Sequence, residues 1–358
     1  MNNRHRFEFR GVYECGWNVF IRNGYSTDPR DISVNYRYID HLSEAGINWL
    51  IVFWTNGRSF DAAWKAVADY AHSKGIKVAR GMYAYTGGGP EHTMAEPDAP
   101  PSLLRTSPKG ERTALCPFES ESRAWMHAQL PSRLEPGMDG IFIEPARMVS
   151  RNCVCPSCSR LLPYEWDVMV LNDLADEIRK LNNDIPIFPY VYMTGGREEK
   201  KAMAAAYAGL RHVDHIFAWG ADDEETLIDW LEADPRFELF TKLGRVQLFP
   251  KGFPPQTPAE ERAALVFRWC RLAAERGRSC YLFDYRIFGG TEWPGNKDGL
   301  PVTRISDKVP ASLKLIGAAM SNPFLDAEGQ RRLIAELRRT AEWDLDDPRT
   351  FYLGAKRD

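Results

Sequence analysis

Three observations predict a single (β/α)8 barrel for this chain. Apolar runs alternate with stretches of helical period, the runs lack the strict alternation of a half-exposed strand, and eight such pairs fill about 320 residues, the span of one barrel. The run Trp49 to Trp54, reading WLIVFW, is typical. The rival architecture is a doubly wound open sheet, and it lacks the Gly-x-Gly-x-x-Gly that a dinucleotide site would need after strand one.

In order, the β-branched and aromatic run Phe7 to Tyr13 predicts strand one. A helix over Val34 to Ala45 follows, with Tyr38, Ile39 and Leu42 on one face, and Gly46 ends it. Strand two is expected at Ile47 to Trp54, then a helix at Phe60 to Lys74 whose Phe60, Trp64, Val67 and Ala71 recur at helical spacing before the capping Gly75. Strand three is placed at Ile76 to Tyr85 with a helix over Ser120 to Leu134, and strand four at Gly140 to Glu144 with a helix over Tyr164 to Leu181. Strands five and six, Ile185 to Tyr192 and His212 to Trp219, precede helices at Glu198 to Ala208 and Glu224 to Ala233. Strand seven is assigned to Arg245 to Pro250 with a helix over Pro258 to Arg276, whose start Thr257-Pro-Ala-Glu260 carries a capping hydroxyl, a first-turn proline and a glutamate. Strand eight, Ser279 to Asp284, and a helix at Val309 to Met320 complete the barrel. An amphipathic helix over Asp326 to Trp343 is expected to pack on it, dividing the chain into a barrel at 1–323 and a helical extension at 324–358.

Composition narrows the function. At 44% hydrophobic and 27% charged, the chain can bury a large core. Lysine and arginine total 46 against 49 acidic residues, for a net charge of −3, so the basic excess of a phosphate-neutralising nucleic-acid binder is missing. No uncharged apolar window reaches membrane-helix length. Charge in Met1-Asn-Asn-Arg-His-Arg, where a signal peptide is apolar, leads to the expectation of a cytoplasmic protein with no membrane partner. Seven cysteines, three of them crowded into Cys153-Val-Cys155-Pro-Ser-Cys158, argue against a disulfide framework. The oligomeric state stays open, a homo-oligomer included.

Barrel enzymes work at the C-terminal ends of their strands, so the residues expected there matter most. They are Tyr13, Glu14 and Trp17; Trp54 and Asn56; Tyr83 and Tyr85; Glu144 and Arg147; Tyr190 and Tyr192; Trp219 and Asp222; Lys251 and Phe253; and Asp284, Tyr285, Arg286, Glu292 and Trp293. Aromatic faces and carboxylates are what a sugar requires, the rings for stacking and the oxygens for hydroxyls. Hydrolysis of a glycosidic bond adds a need for two carboxyl groups. Glu144 closes the apolar run from Met138 and is the foremost candidate; Asp222 and Asp284 compete for the second place. Asp222 or Asp223 could instead cap the following helix, and Asp284 could hold Arg286. Asp139, at the strand's start, reads as a turn or cap residue.

Cys153, Cys155 and Cys158, with Cys116 from the preceding loop, have spacing suited to a tetrahedral structural Zn²⁺, against the alternative of reduced thiols in a loop. Cys15, Cys270 and Cys280 read as buried or isolated thiols. His212-x-x-His215 lies at the wrong end of strand six for catalysis and reads as packing. Gly87-Gly-Gly89 is too short a signal for phosphate, no Gly-x-Ser-x-Gly elbow is present, and no organic cofactor is expected.

Gly11-Val-Tyr-Glu14, Leu115-Cys-Pro117 and Pro136-Gly-Met-Asp-Gly-Ile-Phe-Ile-Glu144 with the Cys-x-Cys-x-x-Cys loop behind it resemble the glycoside hydrolase barrels. The likeness is to the group containing α-glucuronidases and β-hexosaminidases, and it spans most of residues 7 to 320. Ile143 stands where the large retaining clan has asparagine, Val246 to Pro250 offers no carboxylate, and the Asp-Glu pair of hexosaminidases is missing. The α-glucuronidase arrangement, a glutamate after strand four and an aspartate after strand six, fits Glu144 and Asp222, without that family's auxiliary domains. The resemblance implies a glycosidase acting on a small carbohydrate, with Arg147, Lys251 and Arg286 available for an anionic sugar such as a uronate. The competing readings are a non-catalytic carbohydrate-binding barrel and a lyase or isomerase barrel.

Overall fold

The computed structural model describes residues 6–14, 29–53, 62–86, 99–134, 137–145, 152–221, 223–242, 258–284 and 307–345, with residues 14, 29–32, 53, 62–64, 242 and 284 described by backbone alone. In chain order the strands are β1 (Phe9–Glu14), β2 (Trp49–Phe53), β3 (Lys77–Ala84), the short pair β4 (Arg105–Thr106) and β5 (Arg112–Ala114), β6 (Gly140–Pro145), β7 (Ile187–Tyr192), β8 (Ile216–Trp219), β9 (Phe237–Lys242) and β10 (Cys280–Asp284). The helices are α1 (Pro29–Glu44), α2 (Ala62–Ser73), α3 (Ser120–Ala128), α4 (Leu130–Arg133), α5 (Pro156–Ser159), α6 (Pro163–Leu181), α7 (Arg197–Tyr207), α8 (Glu224–Ala233), α9 (Ala259–Glu275), α10 (Ala311–Ser321) and α11 (Ala327–Thr340).

All strands but β4 and β5 close into one parallel barrel, as expected. The closure runs through β1, where Tyr13 lies in register with Ile51 on one side and Asp284 on the other. Alternation along each strand separates two cores. Phe9, Trp49, Phe142, Phe188, Phe217 and Leu282 fill the interior, while Leu50, Val78, Ile141 and Ile187 face the helices. Both faces are thus apolar, which is why the strands read as continuous runs. Large side chains buried this way contribute about 1.5–3 kcal/mol each. At Gly140 a Cβ would stand 2.6 Å from the Phe188 ring, so glycine there leaves room for the interior aromatics.

The helix stops at Gly46 and Gly75 are as read, with φ of +80° and +73°. Each forms a paired C-terminal cap, Ile47 N–H reaching Leu42 O at 3.0 Å and Ile76 N–H reaching Ala71 O at 2.9 Å.

Strand seven requires correction. It is β9, Phe237–Lys242, whereas Arg245 to Pro250 lies outside the described residues. The misleading residue is Glu238, a buried carboxylate inside a barrel strand. It is tolerated because His215 Nδ1 at 3.0 Å and the Cys280 N–H at 3.1 Å are hydrogen-bonded to its oxygens. The expected helix after strand three is two, α3 and α4, and is preceded by the β4–β5 hairpin, which turns through Gly110 at φ +80°. The helix after strand seven starts one residue late: Pro258 is its N-cap rather than its first helical residue, and Glu260 falls in the first turn. No helix among the described residues is long and apolar enough to cross a membrane.

Candidate active site and cysteine cluster

At the C-terminal end of β6, Glu144 is 1% exposed and its Oε2 accepts a 2.8 Å hydrogen bond from the Tyr13 hydroxyl. Tyr13 comes from β1, across the barrel, and its ring packs against Phe142, Tyr190 and Phe240 with centroids 5.1, 5.8 and 6.1 Å away. The parallel register that sets Ile143 beside Pro189 makes Glu144 level with Tyr190. Burial favours the protonated form of a carboxyl group, and a phenol O–H donated to it favours the ionised one.

Tyr13, Tyr83, Tyr190 and Trp219 are all buried, at 6% exposure or less, as the uppermost layer of the barrel core. They form the floor of the barrel mouth rather than an open platform. Tyr192, one layer higher on β7, is half-buried and lies flat on Trp219, with centroids 3.9 Å apart and 16° between planes. Tyr85, also expected to end its strand at the mouth, adopts φ +57° and directs its hydroxyl to Asp173 of α6. Burial and the hydrogen bond to Asp173 push the Tyr85 hydroxyl well above its ordinary range.

Asp223 is the helix cap that the sequence left undecided between two residues. Its side chain accepts the Thr226 N–H at 2.7 Å, and that bond, outweighing partial burial, holds the carboxylate below its usual range. Asp222 lies outside the described residues, as do Trp17, Trp54, Asn56, Arg147, Lys251, Phe253, Tyr285, Arg286, Glu292 and Trp293. Lys242, not Lys251, ends strand seven. Glu14 and Asp284 end β1 and β10 in backbone, Asp284 beside Tyr13 in register. Asp139 serves at the strand's start as read, accepting Val78 N–H at 2.8 Å.

The second constellation is the cysteine cluster. Cys116 follows the β4–β5 hairpin, and Cys153, Cys155 and Cys158 follow β6; all four sulfurs lie within 4.8 Å of one another. Cys116 Sγ is 3.6 Å from Cys155 Sγ and 3.9 Å from Cys158 Sγ. A tetrahedron with metal–sulfur bonds of about 2.3 Å has edges of roughly 3.8 Å, and these two separations match such an edge. Backbone N–H groups of Cys155 and Cys158 point at the sulfurs of Cys153 and Cys155, at 3.3 and 3.5 Å. The loop is anchored to the hairpin through Val154 N–H and Thr106 O, at 3.1 Å. Hydrogen bonds from Cys153 and Cys158 pull the Cys116 thiol down, and its bond and charge in turn push those two up. Cys270 and Cys280 are buried as expected, while Cys15 lies outside the described residues.

Sequence reasoning missed the hairpin that delivers Cys116, although Pro108-Lys-Gly110 between two short polar runs is a turn signal. It also missed Asp167 and Tyr207, a buried pair joined at 2.8 Å between α6 and α7. At the opposite end of the barrel, His215, Glu238 and Cys280 form a hydrogen-bonded cluster, in keeping with a packing role for His215.

No protein-family model matches the chain, and no curated protein matches it. Among solved structures it is similar to the β-galactosidase from Bacillus circulans sp. alkalophilus, with 12% identity and a TM-score of 0.52, over 94% of this chain and 57% of that one. It is also similar to a GH20 exo-β-N-acetylglucosaminidase from Vibrio harveyi, with 11% identity and a TM-score of 0.47, over 97% and 59% of the two chains. A third is dispersin B, with 10% identity and a TM-score of 0.45, over 88% and 97%. The chain spans little more than half the length of the first two. At such identities the likeness shows the barrel fold.

Proposed function

We propose that this chain is a glycoside hydrolase acting on a small oligosaccharide or glycoside, with Glu144 as its general acid. The observation that carries the reading is a buried carboxylate at the C-terminal end of strand four, anchored through one oxygen by Tyr13 and surrounded by the aromatic rings of a barrel mouth. The fold likeness to a β-galactosidase is in keeping with it. An acid that delivers a proton to the leaving oxygen works best with a proton affinity near the operating pH. Burial raising that affinity and the Tyr13 hydroxyl lowering it are a means to set it. Asp222 or Asp284 supplies the second carboxylate, as nucleophile or as base for water. Arg147, Lys251 and Arg286 are assigned to an anionic sugar such as a uronate.

The test is Glu144→Gln, which keeps the shape and removes the proton donor. Turnover of glycosides with poor leaving groups should fall at least about 10²-fold, and activated aryl glycosides should suffer much less. Equal loss on both classes would favour a binding or bracing residue and a non-catalytic barrel.

The cysteine cluster is assigned a structural Zn²⁺, held by Cys116, Cys153, Cys155 and Cys158. Four sulfur ligands leave no open coordination position, so the ion would stiffen the loop that follows the acid rather than join the chemistry. Protein purified without added metal should contain about one Zn²⁺ per chain by elemental analysis. Protein that proves metal-free as purified, with all four thiols alkylating promptly, would overturn the assignment.

A further inference from the structure

The N-terminal end of the barrel gathers a second set of side chains able to hold a metal ion. His215 immediately precedes β8, Glu238 lies within β9 and Cys280 opens β10, and these three strands follow one another around the barrel. Side chains alternate along a strand, and the three residues share the parity of the interior residues Phe217, Phe240 and Leu282. All three therefore turn inward, below the aromatic layers. One ligand atom from each, an imidazole nitrogen, a carboxylate oxygen and a sulfur, lie within 4.8 Å of one another.

The separations are those of a coordination site. His215 Nδ1 stands 3.0 Å from Glu238 Oε1 and 3.4 Å from Cys280 Sγ. Tetrahedral Zn²⁺, with bonds of about 2.0 Å to nitrogen or oxygen and about 2.3 Å to sulfur, sets these two separations at roughly 3.3 and 3.5 Å. Hydrogen bonding accounts for less of the arrangement. A single Nδ1 offers either one N–H or one lone pair, so it can serve the carboxylate or the thiol, but not both in full. A cation placed among the three takes a lone pair from each.

The surroundings orient the ligands. Cys280 N–H donates to Glu238 Oε2 at 3.1 Å, which turns Oε1 toward the imidazole and the sulfur. The Phe188 ring lies along the imidazole, 6.0 Å away between centroids and at 25°. Ser279 Oγ, 3.5 Å from Glu238 Oε1 and 3.6 Å from Cys280 Sγ, is placed to hold a water in a fourth position. The Glu238 side chain is 3% exposed and that of His215 29%, so the carboxylate charge is buried while a path to solvent stays open along the imidazole.

We propose that His215, Glu238 and Cys280 bind one Zn²⁺, a structural ion that pins β8, β9 and β10 together at the N-terminal end of the barrel. That end of such a fold serves stability rather than chemistry. The inference is independent of the glycosidase reading and of what the cysteine cluster holds. With three protein ligands against four thiols, this site is expected to fill when metal is added rather than to retain an ion through purification.

The experiment is equilibrium dialysis of the full-length chain, as purified, against ZnCl₂, with bound metal counted by elemental analysis. The parent chain should bind one more equivalent than Cys280→Ser or His215→Gln, each of which should lose at least about tenfold in affinity at this site. Titration with CoCl₂ should give the parent a thiolate-to-cobalt charge-transfer band beyond any that Cys280→Ser shows. Added Zn²⁺ should also raise the melting temperature of the parent more than that of either variant. His215 is partly exposed, so His215→Gln leaves the core in place and decides the matter alone if Cys280→Ser does not fold. Equal uptake by the parent and His215→Gln, with equal melting shifts, would overturn the site and leave the three residues a hydrogen-bonded plug.

Discussion

The Tyr13–Glu144 hydrogen bond joins residues 131 positions apart, so the sequence could nominate each for the barrel mouth but not pair them. Both are 1% exposed, so Tyr13 offers little surface for stacking on a sugar and instead donates to the Glu144 carboxyl group. A hydrogen bond to a charged group is worth about 1.5–3 kcal/mol, so Tyr13→Phe should lower kcat/KM roughly 10- to 100-fold at neutral pH. The loss should come with an alkaline displacement of the limb of the pH profile that reports Glu144, since the ionised carboxylate has lost a donor. A flat loss at every pH, with the profile unmoved, would mean that Tyr13 merely packs. The same scale resolves the aspartates after strand six: Asp223 is engaged as a helix cap, which leaves Asp222 as the residue to test there.

At the level of elements, legibility followed chemistry. Strands such as Trp49–Phe53 were visible because both faces are apolar, and the stops at Gly46 and Gly75 because a left-handed residue suits glycine. Strand β9 was not, because a charged residue inside a barrel strand is legible only with the His215 and Cys280 contacts that offset it. Asp173 shows a similar hidden dependence. It is 13% exposed and ties α6 to the residue after β3 and to α3 by accepting from Tyr85, from His127 Nε2 at 2.8 Å and from Arg123 Nη2 at 2.6 Å. Burial opposes its charge, but the bonds from Tyr85, His127 and Arg123 outweigh it and hold the carboxylate below the usual range. A depressed folded value contributes stability above the unfolded value, near 3.9, which is lost as pH falls through the folded one. Asp173→Asn should therefore destabilise the protein by about 1–3 kcal/mol at pH 7 in urea unfolding, and the gap to the parent chain should close below about pH 4. A gap that stays constant down to acid pH would show that the bonds do not depend on the charge.

For the molecule as a whole, counting strand–helix units was enough to reach the closed barrel, because each unit announces itself locally and parallel strands need the helices between them. How the tail joins that barrel was beyond such counting, since its contacts are few, specific and distant in sequence. The start of α10 has no side-chain cap of its own. Its free N–H groups are satisfied from the tail: Ala311 N–H donates to Glu342 O at 2.8 Å and Ser312 N–H to Asp344 Oδ1 at 2.8 Å. Arg262 of α9, fully buried, donates to Leu345 O at 2.8 Å, and Ile334 and Leu337 of α11 are each 3% exposed. The far end of α10 in turn receives the Phe7 N–H on Met320 O at 3.0 Å, just before β1 enters the barrel. The segment from Phe324 to Leu345 is by these contacts tied into the helical layer of the barrel. A chain ending at Pro323 strips the caps from α10 and leaves the Arg262 guanidinium buried without the Leu345 carbonyl, a loss of several kcal/mol by the usual cost of each such group. It should aggregate or melt well below the full chain by calorimetry. Asp344→Ala, which removes one cap alone and costs about 0.5–2 kcal/mol, should fall between the two. A truncated protein with the melting temperature and circular dichroism of the full chain would show the tail to be an ornament, and the seam would then have to be held by β1 and β10 alone.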